Sequence, residues 1–110
     1  MSDWRPTASI EHLQQRAKLL AQTRDFFAQR HVIEVQTPVL AKHSVTEPDV
    51  QSIHVPGYGY LQTSPEYQIK RLLAADMPSC EQLGPAFRHG EQGRRHNPEF
   101  TMLEWYRLGF

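Results

Sequence analysis

Between Phe87 and Tyr106 the sequence reads Phe-Arg-His-Gly-Glu-Gln-Gly-Arg-Arg-His-Asn-Pro-Glu-Phe-Thr-Met-Leu-Glu-Trp-Tyr, a stretch crowded with charged and hydrogen-bonding side chains. A strand expected from Glu99 to Leu108 alternates its side chains between two faces. Phe100, Met102, Glu104 and Tyr106 therefore point together, opposite Thr101, Leu103 and Trp105. A preceding strand, from about Gln82 to Arg88, delivers Arg88 near that face, where a planar guanidinium can hold a carboxylate and a phosphate at once. Arg94, Arg95 and His96, on the polar loop from His89 to Pro98, are further phosphate partners. The pattern alone leaves a second reading open, in which Arg and Glu on paired strands form cross-strand ion pairs on a solvated face.

Composition narrows the chemistry. The chain has 110 residues, 39% hydrophobic and 22% charged, which suits one soluble domain that buries roughly 65% of its unfolded surface. Lys plus Arg equals Asp plus Glu at 12 each, so no bulk basic field draws in nucleic acid. The single Cys80 cannot form an internal disulfide, and no charged-then-apolar leader precedes Asp3 and Trp4. These features predict a cytoplasmic protein without membrane association. There is no Cys/His cluster at zinc spacing, no Gly-rich Walker loop and no Ser-His-Asp set.

The elements that must position these residues are legible from periodicity. Ile10, Leu13, Ala17, Leu20 and Phe27 recur at mostly helical spacing, which predicts a helix from Ser9, as N-cap, to about Arg30. Val32 to Val35 reads as a short strand stopped by Thr37 and Pro38. Lys42 to Gln51 reads as a surface loop. Ile53 to Val55 and Tyr60 to Thr63 flank Pro56-Gly57-Tyr58-Gly59, which predicts a hairpin. A second helix is expected with Ser64 as cap and Pro65 at its first position, running through Ile69, Leu72 and Leu73 toward Asp76. A second hairpin closes the chain. The whole predicts an α+β class, an antiparallel sheet with flanking helices. Glu81 and Pro85 are out of place in the strand entering this hairpin, because Pro is tolerated in a sheet only where the edge is free.

The run from Phe87-Arg88 to Tyr106 resembles motif 2 of the class II aminoacyl-tRNA synthetases, and His96-Asn97-Pro98-Glu99-Phe100-Thr101-Met102-Leu103-Glu104-Trp105-Tyr106 is especially similar to the lysine-activating branch. The long helix followed by Val32-Ile33-Glu34-Val35-Gln36-Thr37-Pro38-Val39-Leu40 resembles motif 1, whose proline-ended strand lies at that family's dimer interface. Leu61-Gln62-Thr63-Ser64-Pro65-Glu66-Tyr67, with Lys70-Arg71-Leu72-Leu73, resembles the branch's substrate-binding turn and helix. Residues 1–110 would then form part of such a catalytic domain, with motif 1 at about 9–40, motif 2 at about 82–108, and motif 3 absent. The helix starts too close to Met1 for the anticodon-binding OB-fold of a lysyl-tRNA synthetase. That start, Trp4 to Ile10, and the Gly90-Glu91 pair are similar to the elongation factor P lysine ligases.

The resemblance implies ATP-dependent activation of a lysine-type amino acid, with (R)-β-lysine expected, as its adenylate, and transfer to a lysine of elongation factor P. It implies ATP and Mg²⁺ as cofactors, lysine or (R)-β-lysine as substrate, a homodimer, and no role for tRNA. Ser64, Pro65 and Glu66 would line the amino-acid site, with Glu66 receiving an amino group and Tyr106 and Glu104 beside it. Arg88 would be the catalytic residue, bridging the substrate carboxylate and the α-phosphate. His89, Gly90, His96 and Asn97 would lie along the nucleotide, and Phe100 would stack on adenine. Metal ligands and a second adenine-holding Arg belong to the missing motif 3 segment, so this chain alone is expected to be inactive. A truncated lysyl-tRNA synthetase and a dimerising remnant without activity are the alternatives. Many synthetases carry Glu two residues after the motif 2 Arg; here Gly90 stands there with Glu91 next, which predicts a contact through backbone only.

Overall fold

The computed structural model describes residues 4–43, 52–89 and 97–109. Helix α1 spans Ile10–Gln29, and its N-cap is Ser9, whose hydroxyl accepts from the His12 amide at 3.1 Å. Strands β1 (Ile33–Glu34), β2 (Leu40–Ala41), β3 (Ile53–Val55) and β4 (Gly59–Leu61) follow. Helix α2 spans Glu66–Ala74, and strands β5 (Cys80–Phe87) and β6 (Glu99–Tyr106) complete the order.

Both helices stop in the same way. The His31 amide donates to Ala28 and the Val32 amide to Phe27, at 3.1 and 3.0 Å; Asp76 donates to Leu73 and Met77 to Leu72 at the same two distances. This is the Schellman arrangement, and it puts His31 (φ 59°) and Asp76 (φ 69°) in the left-handed region usually reserved for glycine. Val32 and Phe27, which this turn brings together, are both buried.

The strands form two three-stranded sheets, in the orders β1-β5-β6 and β2-β4-β3. The α+β class stands, and three of the four strand pairings are antiparallel. The fourth corrects the expectation of a purely antiparallel sheet: β1 pairs with β5 in parallel, Ile33 opposite Cys80 and Glu34 opposite Glu81. The connection between them carries the second sheet and α2, long enough for the crossover that a parallel pair requires. The hairpin β3-β4 is present, but β2, too short to show a period, adds a third strand. Gly59 is what admits it, since a Cβ at that position would collide with the Ala41 carbonyl. The expected loop from Lys42 to Gln51 lies outside the described residues after His43.

β5 and β6 pair from Cys80↔Tyr106 to Phe87↔Glu99 without interruption, Pro85 included. The Glu81 carbonyl accepts from Val35, and the Phe87 amide donates to the Gln62 carbonyl at 2.9 Å, so odd-numbered residues of β5 turn their backbone polar groups away from β6. Pro85 has its missing donor on that side, past the end of β1, where no ladder bond is lost. Gln62 occupies this vacated flank, and α2 follows four residues later.

Opposite faces of the β5-β6 ribbon meet different helices. Phe27 of α1 lies 5.7 Å from Trp105, ring centre to ring centre, and Arg16 donates to the Thr101 hydroxyl at 2.7 Å. α1 thus covers the Thr101-Leu103-Trp105 face, while the Phe100-Met102-Glu104-Tyr106 face is left to α2 and the hairpin end. No helix among the described residues is long and apolar enough to cross a membrane.

Candidate functional site

At the hairpin end, the Arg88 amide donates to the Pro98 carbonyl at 2.9 Å, which closes the two strands just beyond the Phe87↔Glu99 pair. The Arg88 guanidinium lies over the Phe100 ring, 5.3 Å from its centre. Alternation from Ala86, which faces Phe100, puts Arg88 on the same face as Glu104 and Tyr106. The guanidinium and the ring hold each other by a cation–π contact while remaining open to solvent. His89 and Asn97 are exposed on either side of this end. Gly90 and His96 lie outside the described residues.

At the far end of the same face stands the start of α2. The helix begins one residue later than expected: Pro65 (φ −81°, ψ 6°) is itself the cap and has no side-chain acceptor. Ser64 supplies one from the position before, its hydroxyl accepting from the Glu66 amide at 3.2 Å. Pro65 is buried, Ser64 and Glu66 partly so. Glu66 Oε1 accepts from Lys70 Nζ at 2.8 Å, one helical turn on, and this hydrogen bond holds the Lys70 ammonium above its ordinary pKa.

Glu104 lies within the field of that pair. Burial pushes its carboxyl above the ordinary carboxylate range, the Glu66 charge adds to the push, and Lys70 opposes it. Its Oε2 is buried with no hydrogen-bond partner among the described residues. The Tyr106 hydroxyl is also raised, first by burial and then by Glu104 and Glu66. Four residues of strand, roughly 14 Å, separate Phe100 from Glu104.

The structure therefore brings Arg88 to Phe100, and Ser64, Glu66, Glu104 and Tyr106 to one another. Four residues near these groups went unread in the sequence. Lys70 is one: its spacing four residues after Glu66 on α2 is the sequence signal for a helix ion pair. Gln62 and Thr63 are buried just before the α2 turn, and the Gln62 carbonyl accepts from the Phe87 amide of β5. Gln82 is buried opposite Glu104, and its Oε1 accepts from the Thr37 amide and hydroxyl at 2.9 and 2.7 Å. Among the described residues, no group of three or more His, Cys, Asp or Glu side chains converges to hold a metal ion.

Comparison with known proteins gives the family. The family model for tRNA synthetases class II (D, K and N) matches residues 1–108. The chain belongs to that family. Among its class II relatives, a Vibrio cholerae protein is 54% identical over 99% of this chain and 36% of its own length, and a Vibrio vulnificus protein is 52% identical over the same shares. A Proteus mirabilis protein is 48% identical over 100% of this chain and 37% of its own length. All three are named elongation factor P--(R)-beta-lysine ligase. The chain thus spans little more than a third of the length of these class II relatives.

Proposed function

We propose that this chain carries the amino-acid and α-phosphate portion of an ATP-dependent ligase that activates (R)-β-lysine, or lysine, and passes it to a lysine of elongation factor P. The observation that carries the reading is the shared sheet face, with a guanidinium over an aromatic ring at one end and two carboxylates beside a capped helix start at the other. The relatives' names supply the substrate and acceptor. In the reaction the substrate carboxylate attacks the α-phosphorus of ATP, a C–O–P linkage forms and pyrophosphate leaves. The acceptor amine then attacks the acyl carbon and AMP departs.

Arg88 is the catalytic residue in this reading. Its fork donates to carboxylate and phosphate oxygens together and is worth most when both are partly charged in the transition state. Phe100 offers its ring to adenine. Glu66 and Glu104 take the ammonium groups, which need anionic partners once removed from water. Tyr106 borders them, and Ser64 and Pro65 shape the turn. His89, Gly90, His96 and Asn97 are assigned to the nucleotide by family position. Mg²⁺ would neutralise phosphate charge, but among the described residues no cluster of His, Cys, Asp or Glu converges to hold it. Exposed Ile10, Leu13, Leu19 and Phe26 on α1 support a homodimer through motif 1. The enzyme is read as cytoplasmic.

The deciding experiment offers labelled (R)-β-lysine and ATP, with elongation factor P and tRNA together, to the chain completed with the remaining sequence of a relative. Label is expected on elongation factor P. Label on tRNA alone would instead mark a reduced lysyl-tRNA synthetase. A stable dimer that labels neither would mark a remnant without activity.

A further inference from the structure

Lys70 is joined to the Glu66 carboxylate at 2.8 Å, while the Glu66 amide is held by the Ser64 hydroxyl, so this glutamate is fixed at both backbone and side chain. Glu104 lies within the electrostatic reach of both groups, with its Oε2 buried and unpartnered among the described residues. The groups around Glu104 are Glu66 and Lys70 from α2, Tyr106 on its own strand, Gln82 opposite it on β5, and Cys80 opposite Tyr106. Lys70 is the cation among them. Two carboxylates sharing a partly desolvated site repel, and without a neighbouring cation one of them takes up a proton.

We propose that Lys70 is a positioning residue of the amino-acid site: its ammonium fixes the Glu66 carboxylate and offsets the repulsion between Glu66 and Glu104, so that both carboxylates can face one substrate. On an isolated helix the same contact would be an ordinary surface pair. The half-buried second carboxylate within its field sets it apart. The proposal rests on reading Glu66 as the acceptor of a substrate ammonium. Its sign is definite: loss of the cation raises the Glu104 midpoint, and a protonated Glu104 is a poorer ammonium partner, so binding weakens as pH falls.

The test has two arms. In the 110-residue chain, a carboxyl-resolved NMR titration compares wild type with Lys70→Met and Lys70→Arg. The Glu104 midpoint is expected to rise in the Met variant and return in the Arg variant. In the completed enzyme, Lys70→Met is expected to raise the amino-acid KM for pyrophosphate exchange about two- to fivefold at the acid end of the activity range and much less at the alkaline end. kcat should stay constant, and Lys70→Arg should restore KM. An unmoved Glu104 midpoint, or a KM rise equal at both pH values and not rescued by Arg, overturns the role of Lys70. Absence of amino-acid-dependent exchange in the wild type removes the functional reading itself, a separable outcome.

Discussion

The two faces of the β5-β6 ribbon carry the same motif with opposite outcomes. On each, a sheet glutamate with an unpartnered oxygen lies beside a glutamate–cation pair: Glu81 beside Glu34 and Arg24, Glu104 beside Glu66 and Lys70. Burial pushes both sheet carboxyls upward, and in both the neighbouring glutamate adds to the push. Glu81, however, is closed off under α1, with 1% of its surface exposed, whereas Glu104 sits on the face that also presents Arg88. Residue exposure, not charge pattern, separates the two: Glu81 is locked into the scaffold, while Glu104 is only half-buried.

The sharpest way to break this comparison is at the open face. In the completed enzyme, Arg88→Ala should slow adenylate formation by roughly 10²-fold, the scale for losing a transition-state donor. Glu66→Gln should act mainly on the amino acid, raising its KM about tenfold with a smaller change in kcat. Exchange kinetics at varied amino acid and ATP distinguish the two. An unchanged amino-acid dependence in the Gln variant would remove Glu66 from the substrate site.

On the closed face the expected effect is on stability. A carboxyl whose folded pKa is raised stabilises the fold fully below its unfolded value, 4.5 here, and that stability is lost as pH rises through the folded value. Glu81→Gln lacks that loss and should be more stable than wild type at pH 8, by about 1–3 kcal/mol if the orphaned carboxylate bears the usual penalty. Denaturant melts at acid and alkaline pH measure it. Parallel pH profiles for the two proteins would show that Glu81 is satisfied after all.

The smallest effect belongs to the helix ends, which should be independent of either face. His31→Gly removes the strain of a side chain at φ 59° and should stabilise by about 0.5–1 kcal/mol, with exchange unaffected. Thermal melts alongside activity assays check both parts.

Much of this was legible because it rests on local rules. Ser9 is a cap, the helix it opens is present although only Phe27 of its apolar residues is buried, and the alternation of Phe100, Met102, Glu104 and Tyr106 holds along β6 without tertiary information. The failures are non-local. β2 and the parallel β1-β5 pairing depend on partners distant in sequence, and two-residue strands carry no period. Pro85 in β5 was a conflict only until the end of β1 was known. Glu81 and Gln82 are adjacent, polar and buried on opposite faces, so no alternation of apolar and polar residues marks their burial. Lys70 needed Glu104 in view before its pairing meant more than a helix contact.

The bond from the Phe87 amide to the Gln62 carbonyl ties together parts that are far apart along the chain. Gln62 precedes the Ser64-Pro65-Glu66 turn by two residues, and Phe87 immediately precedes Arg88. The turn that would receive an amino group and the arginine that would hold its carboxylate are thus moored to each other through one proton. Deuterium uptake at the Phe87 amide would record how often the two halves of the site come apart, with no ligand or activity required to see it.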